Sequence, residues 1–239
     1  MRAYDLLKAL HLLLVIIWLG TDIGTYASFQ RLLNEKLSLP TRLSMSRLSD
    51  VLDQGPRSGL VLLLMLGISM TYMGDWGLRG GGGLVLAWMA AVVGLVWFAG
   101  VWHQFWVHRA PADQPRSPRH LSITATFRKV DLWWRVALAI VLVGASIVSL
   151  ATSGDDGPFA ADWLAWKLLV FAGIVACGVA IRISLPKIGA AIGAIVSSGS
   201  TPERESALRA ASRPAIVAVW LIWVFLIVMT TLAVFKPGL

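Results

Sequence analysis

A histidine lies inside the first long apolar run of the chain. Residues 8–20 are long enough, together with their apolar neighbours, to cross a bilayer, and His11 sits within them. An ionisable group at membrane depth is costly unless it has a partner or a function. On a helix, His11, Val15, Trp18 and Asp22 share one face, because they follow the spacing i, i+4, i+7, i+11. This face is predicted to point into a helix bundle.

Three further side chains are predicted at the depth of His11. Lys167 comes early in the fifth apolar span, and Met70 and Met73 come late in the second. A neutral imidazole together with thioether sulfur suits haem iron or Cu(I), so His11 is a candidate ligand of haem b or copper, with either methionine as a second ligand. Lys167 would then face a propionate or another anion. The alternatives are a His11 that is hydrogen-bonded to a backbone carbonyl, methionines that fill space, and a Lys167 that reaches the interface.

A second charged group is expected near the opposite side of the membrane. Asp22, Arg57, Arg135 and Asp131 lie close to span ends there, and we expect Asp22 to be neutralised by Arg57 or Arg135 in a structural ion pair. His103 and His108 close the third span among aromatic residues. They indicate either an aromatic cluster at the membrane interface, followed by basic residues where the chain leaves the membrane, or a second haem or metal site.

The composition excludes a soluble domain. Of the 239 residues, 57% are hydrophobic and only 14% are charged, and the mean hydropathy is +0.72; a soluble domain would carry about 25% charged residues. The net charge of +8 lies in the loops between apolar runs, so it reports topology and not nucleic-acid binding. The single Cys177 excludes an intrachain disulfide. No nucleotide loop, zinc motif or serine–histidine–acid arrangement is visible in the sequence.

The apolar blocks predict an all-α bundle of six transmembrane helices in a lipid bilayer, forming one domain over residues 1–239. The spans are about 6–29, 58–74, 84–107, 132–152, 159–183 and 214–235. Residues 30–57 and 185–212 are expected to be partly helical and amphipathic. Pro56 and Pro214 are expected near helix starts.

The loop charges predict an orientation. The first, third and fifth connections are basic, whereas the second and fourth carry few or no bases. Because basic loops stay cytoplasmic, we expect these three connections inside and both termini outside a bacterial inner membrane.

An internal repeat is visible at a constant offset of 78 residues. Arg57 and Arg135 each open a span, and the segments 86–88 and 100–101 recur at 164–166 and 178–179. The offset predicts a duplicated helix pair, with units of about 57–110 and 135–188. The copies differ at one position of interest, where the first has Met89 and the second has Lys167.

Short motifs resemble a known family. Residues 8–20, with Lys-Ala-Leu-His followed by a Trp seven residues after the histidine, resemble the first helix of HemJ-type protoporphyrinogen oxidases and the related CopD-like membrane proteins. Residues 164–168 resemble the lysine helix of this family, and residues 234–237 its C-terminal Val-Lys-Pro. The resemblance implies a small haem-b membrane protein in which His11 ligates iron and Lys167 is needed for activity. Residues 53–57 also resemble an Asp-x-x-Pro-Arg element of bacterial six-span proteins.

These observations favour an inner-membrane protein with a haem b or copper site in its outer half, acting in electron transfer or in metal or haem handling. Besides the lipid bilayer, quinone, another membrane protein or a second copy of the chain is a candidate partner. One alternative function is a non-catalytic subunit of a larger membrane complex. The other is a small transporter that uses Asp22 and the arginines as a charged path.

Overall fold

The computed structural model describes residues 3–74, 76–78, 80–109, 117–152 and 158–237, and within these ranges the chain forms seven helices and no strand. An isolated antiparallel bridge joins Gly77 to Phe159. The predicted all-α class is confirmed. The helices are α1 (Ala3–Leu32), α2 (Leu39–Leu52), α3 (Gln54–Met73), α4 (Gly80–Arg109), α5 (Pro118–Thr152), α6 (Asp162–Ser198) and α7 (Pro202–Phe235).

Six candidate membrane spans are present in the described part of the chain, which confirms a multi-pass membrane protein. They are α1, the α2–α3 segment, α4, α5, α6 and α7, each long and apolar enough to cross a bilayer. Large apolar side chains such as Ile16, Val96, Ile140 and Ile227 are exposed on the outer surface of the bundle. Lipid satisfies such a surface, whereas water would not.

Several helices continue beyond the predicted spans. The 37 residues of α6 measure about 55 Å at 1.5 Å per residue, well above a hydrocarbon core of roughly 30 Å. α7 begins at Pro202, where the Thr201 side chain accepts a hydrogen bond from the Arg204 N–H. Pro214 therefore lies inside α7 and not near its start, which corrects the expectation from the sequence. Pro56 does lie in the first turn of α3.

The spans form a ring in the order α1, α3, α4, α5, α6, α7, in which each helix contacts its neighbours and α7 contacts α1. Apolar side chains from every spanning helix meet inside the ring, where Trp18, Val61, Val101, Val175 and Ile222 are buried. We call the end that holds both chain termini the terminal end, and the opposite end, where α1, α4 and α6 finish, the basic end.

The basic end carries a second, smaller core. The C-terminal part of α6 and the first turns of α7 pack against the end of α1 and the start of α2 through Ile188, Ile195 and Leu208. A buried ion pair fastens this contact, because Arg42 of α2 donates to both carboxylate oxygens of Glu205 over 2.6 and 2.8 Å. The helical extension predicted for residues 185–212 is thus a packed element of the fold.

Candidate functional site

A small cavity with several charged residues in its lining lies between the spanning helices, in the basic-end half of the ring. It has a volume of about 70 Å³. Polar and charged residues from four segments line it, with apolar residues of α3, α6 and α7 between them. We call it the central chamber, and the residues used below are Trp18 and Asp22 of α1, Asp53 and Arg57 at the start of α3, Arg135 of α5, and Gly178 and Arg182 of α6.

The chamber lies level with the apolar surface of the bundle. The side chains of Ile23, Trp133 and Ile183 are exposed on the outside of the bundle. Each of them lies within two residues of a charged residue at the chamber, namely Asp22, Asp131 or Arg182. The charges therefore face inward at a depth where the outer surface is apolar. Charged groups at such a depth mark a functional site by default.

Asp131 is the centre of the charge network beside the chamber. Its side chain is 2% exposed, and its carboxylate accepts hydrogen bonds from Trp97 Nε1 at 2.7 Å and from Arg135 Nε at 3.1 Å. Arg182 Nη2 also lies 3.1 Å from Asp131 Oδ2, and the two side chains form a salt bridge. One carboxylate thus binds an indole and two guanidinium groups.

Asp22 is not paired as the sequence suggested. Its Oδ2 accepts a hydrogen bond of 2.7 Å from Trp223 Nε1 on α7, whereas Arg57 pairs with Asp53 and Arg135 pairs with Asp131. The reason is local, because residues four apart on a helix lie side by side and each arginine meets the acid of its own helix first. The expected ion pair of Asp22 is therefore replaced by an indole hydrogen bond, although all these groups lie at one chamber.

Three buried N–H donors at the chamber lack an acceptor among the described residues. They are Trp18 Nε1, Arg135 Nη2 and Arg182 Nη2. Arg182 Nη2 is close to Asp131 but is not aligned for a hydrogen bond with it. Buried donors are almost always satisfied in native proteins, so a donor without an acceptor calls for a specific explanation. A ligand bound in the chamber would therefore have to supply hydrogen-bond acceptors.

The repeat offset also relates the acids of this network. Asp53 and Asp131 are 78 residues apart, as are Arg57 and Arg135, so the same Asp-x-x-x-Arg pair occurs twice, at the start of α3 and in the interior of α5. The sequence held this signal, and applying the offset to the acids would have found it. Arg182 corresponds to Gln104, which is buried on α4. The second unit therefore carries the additional guanidinium.

His11 belongs to a separate group nearer the terminal end. Its ring contacts α3 beside Gly67, since Cε1 is 3.9 Å from the position that a Cβ would take there. Its Nδ1 is buried without a hydrogen-bond partner in the described structure. Lys167 is close enough for its charge to act on the ring, and Lys167 itself makes no described hydrogen bond or ion pair. The structure thus brings these two predicted residues together.

The two methionines lie at different distances from that group. Met70 follows Gly67 by three residues, so it lies on the same side of α3, one turn nearer the terminal end, and is partly buried. Met73 is six residues, or about 9 Å, beyond Gly67 and is 44% exposed. No group of three or more His, Cys, Asp or Glu side chains that could hold a metal occurs in the described ranges. Haem b or copper at His11 stays a prediction.

The other histidines connect α4 to α5 at the basic end. His103 Nε2 and His120 Nδ1 share a hydrogen bond of 3.0 Å, and Arg128 Nη2 is 3.0 Å from His108 Nε2. These contacts belong to the opposite end of the bundle from His11.

No protein-family model, curated protein or solved structure matches the chain. The central chamber and the His11 group are therefore the features from which a function can be inferred.

Proposed function

We propose that the protein is a small membrane transporter whose central chamber binds a small monoanion. The observation that carries this proposal is that three residues lining one cavity, Trp18, Arg135 and Arg182, each hold a buried N–H donor without an acceptor in the described structure. A ligand that satisfies them needs lone pairs and no hydrogens to donate. An anion meets that requirement, and a hydrogen bond from guanidinium to an anion is about twice as strong as a neutral one.

The electrostatic balance favours weak and reversible binding. Arg57, Arg135 and Arg182 face Asp22, Asp53 and Asp131, and each of these acids already accepts a hydrogen bond or an ion pair. The groups that remain without hydrogen-bond partners are therefore donors, but the negative charge of the nearby carboxylates weakens their attraction for an anion. A conducting site must bind strongly enough to admit its solute and weakly enough to release it.

The size of the chamber restricts the anion. One water needs roughly 10–15 Å³ of such space, so about 70 Å³ holds an anion the size of chloride, nitrate or formate with a few waters. A nucleotide or a sugar phosphate does not fit without rearrangement. Eleven residues of α1, or about 16 Å, separate Asp22 from His11, and His11 and Lys167 are the next ionisable groups toward the terminal end.

The test compares two tryptophans that both lack a hydrogen-bond partner for Nε1 but lie in different parts of the bundle. Trp18 and Trp163 are both buried and both leave Nε1 without a partner in the described structure, but only Trp18 lines the chamber. In proteoliposomes, wild type and Trp163→Phe should conduct formate and nitrate and exclude gluconate. Trp18→Phe and Arg182→Gln should reduce the flux about tenfold or more, since a hydrogen bond to a charged group contributes roughly 1.5–3 kcal/mol.

A binding measurement separates loss of the site from loss of the fold. Formate should raise the melting temperature of wild type and of Trp163→Phe in detergent, and should not raise that of Trp18→Phe. Equal flux and equal stabilisation in Trp18→Phe and Trp163→Phe would exclude the chamber as the anion site.

A second function is favoured by the buried, unpartnered Nδ1 of His11. We propose that this nitrogen ligates haem b or copper, with Met70 the better placed of the two methionines and Lys167 as the partner of an anionic group. Such a cofactor would supply electron transfer, and the resemblance of residues 8–20 to the HemJ and CopD first helix supports the same assignment. The imidazole of His11 would hold the iron or copper, and Lys167 would supply a cation beside it.

The absorption spectrum of the purified protein, oxidised and reduced, tests this second function together with a copper assay. His11→Ala should abolish the chromophore or metal, Lys167→Ala should weaken binding, and His120→Ala at the opposite end should leave it unchanged. Wild-type protein that is purified from haem- and copper-replete cells and carries neither group would overturn the proposal.

A further inference from the structure

We infer that a groove at the basic end binds the headgroup of an acidic phospholipid. The groove lies between the end of α1 and the outer side of α7, is open to the surface and has a volume of about 470 Å³. We call it the arginine groove. Its lining consists of Gln30, Leu33, Asn34, Arg209, Arg213 and Ile216.

The two arginines supply positive charge that the protein leaves largely unused. Arg209 Nη1 is 3.2 Å from Glu35 Oε2, but both side chains are about half exposed, so this pair contributes little. Arg213 is exposed and makes no hydrogen bond or ion pair with any other residue that the structure describes. Planar guanidinium groups bind phosphate through two parallel hydrogen bonds, and the amides of Gln30 and Asn34 can donate beside them.

The position of the groove identifies the phosphate as that of a lipid. Along α7 the exposed side chains change from Arg209 and Arg213 to Val217 and Trp220 within about three turns. This change marks the boundary between the headgroups and the hydrocarbon, where basic and aromatic side chains collect. Leu33 and Ile216 give the groove an apolar part on which the glycerol and the first methylenes of a lipid can rest. A free phosphate would leave that part exposed.

This site is separate from the central chamber, so neither proposal depends on the other. The two share no lining residue. An acidic lipid here would hold the end of α1 against α7 beside the contact that already joins Arg42 to Glu205.

Native mass spectrometry of the detergent-solubilised protein tests the site, with dioleoyl phosphatidylglycerol and dioleoyl phosphatidylcholine as probes. Wild type should retain phosphatidylglycerol and release phosphatidylcholine. Each of Arg209→Gln and Arg213→Gln should weaken retention about fivefold, which is the contribution of one basic residue near an acidic surface, and the double variant should lose it. The matched control is Arg47→Gln, which removes an exposed arginine of α2 that does not line the groove.

Two further comparisons distinguish a lipid site from a site for free phosphate and from a groove that binds neither. Inorganic phosphate at millimolar concentration should not displace phosphatidylglycerol from wild type; displacement would make the groove a site for free phosphate and overturn the lipid assignment. Equal retention by wild type, Arg47→Gln and the double variant would show that the arginine groove binds no acidic lipid. Because Arg209 and Arg213 are exposed, the melting temperature of the lipid-free variants should match that of wild type, and retention can be compared directly.

Discussion

Trp223 of α7 donates a 2.7 Å hydrogen bond to the carboxylate of Asp22 on α1, and this bond joins the first and last membrane spans across 201 positions of sequence. Tyr26, one turn along α1 from Asp22, contacts the Trp223 ring edge to face with the ring centroids 5.3 Å apart. The contact between α1 and α7 is less extensive than the other contacts in the ring, so a single polar bond has a large share in closing it.

Replacing Trp223 by phenylalanine should open this closure. The variant keeps an aromatic ring against Tyr26 but leaves the Asp22 carboxylate without its indole donor. We expect a loss of about 1 kcal/mol in the free energy of unfolding, since polar bonds between membrane helices contribute roughly 0.6–1.7 kcal/mol. The measurement is unfolding in mixed micelles with increasing dodecyl sulfate. Trp220→Phe is the matched control, because Trp220 also packs against Tyr26, with centroids 5.6 Å apart, and makes no described hydrogen bond. Equal loss in the two variants would contradict a role for the Asp22 bond.

The ion pair between Arg42 and Glu205 should contribute far more to stability than the pair between Arg209 and Glu35. The first is buried, with side chains 4% and 2% exposed, and Glu205 Oε1 also accepts a 2.6 Å bond from Ser200. The second is half exposed. Glu205→Gln leaves a buried guanidinium without a countercharge and should cost about 3–5 kcal/mol, whereas Glu35→Gln should cost about 0–1 kcal/mol.

Thermal unfolding in detergent, followed by circular dichroism, measures both variants under the same conditions. Each variant removes one negative charge from the basic end, so a difference between them reports burial and not net charge. Similar losses for Glu205→Gln and Glu35→Gln would mean that α2 does not anchor the α6–α7 extension through this pair.

The six spans were predictable because a long apolar run is a local property of the sequence and does not depend on tertiary packing. Six runs gave six spans, and the helical extensions followed from amphipathic residues outside them. The ends of the helices were harder to predict from the sequence. Pro214 resembles a helix start in the sequence, but the helix begins earlier, at the Thr201 cap, and continues through the proline. A capping residue thirteen positions upstream competes with the proline signal, and only packing against α6 decides between them.

The candidate site was predictable in its residues and not in its partners. The charge of Asp22, Arg57 and Arg135 inside or beside apolar runs identified them, but their pairing depends on how each helix is rotated about its own axis. Arg135 meets Asp131 within its own helix, and Asp22 meets an indole that carries no charge signal in the sequence. The three unpartnered donors of the central chamber could not be found without the positions of α1, α5 and α6.

Asp131→Asn should be more harmful than Asp53→Asn, although the repeat places the two acids at equivalent positions. Asp131 is buried and holds Trp97, Arg135 and Arg182, so its loss leaves two guanidinium groups inside the bundle without a carboxylate; we expect a cost of about 3–5 kcal/mol. Asp53 and Arg57 are partly exposed, and a loss of about 1 kcal/mol is expected there. Adding Arg182→Gln to Asp131→Asn removes one unpaired charge and should recover part of the loss in the same unfolding assay. No recovery in the double variant would show that Arg182 does not depend on Asp131.

The orientation inferred from the loop charges, with both termini outside, can be tested with single cysteines at the two ends of the bundle. Thr152 is an exposed residue at the terminal end of α5, and Ser198 is an exposed residue at the basic end of α6. The native Cys177 is buried and should stay unlabelled, so the wild type serves as the blank. In intact spheroplasts, Thr152→Cys should react with a membrane-impermeant maleimide at once, whereas Ser198→Cys should react only after the membrane is permeabilised, because Lys187, Arg204 and Arg209 hold the α6–α7 end in the cytoplasm. The reverse labelling pattern would mean that the protein has the opposite orientation in the membrane. The central chamber would then lie in the outer half of the bundle, and the arginine groove would face the outer leaflet.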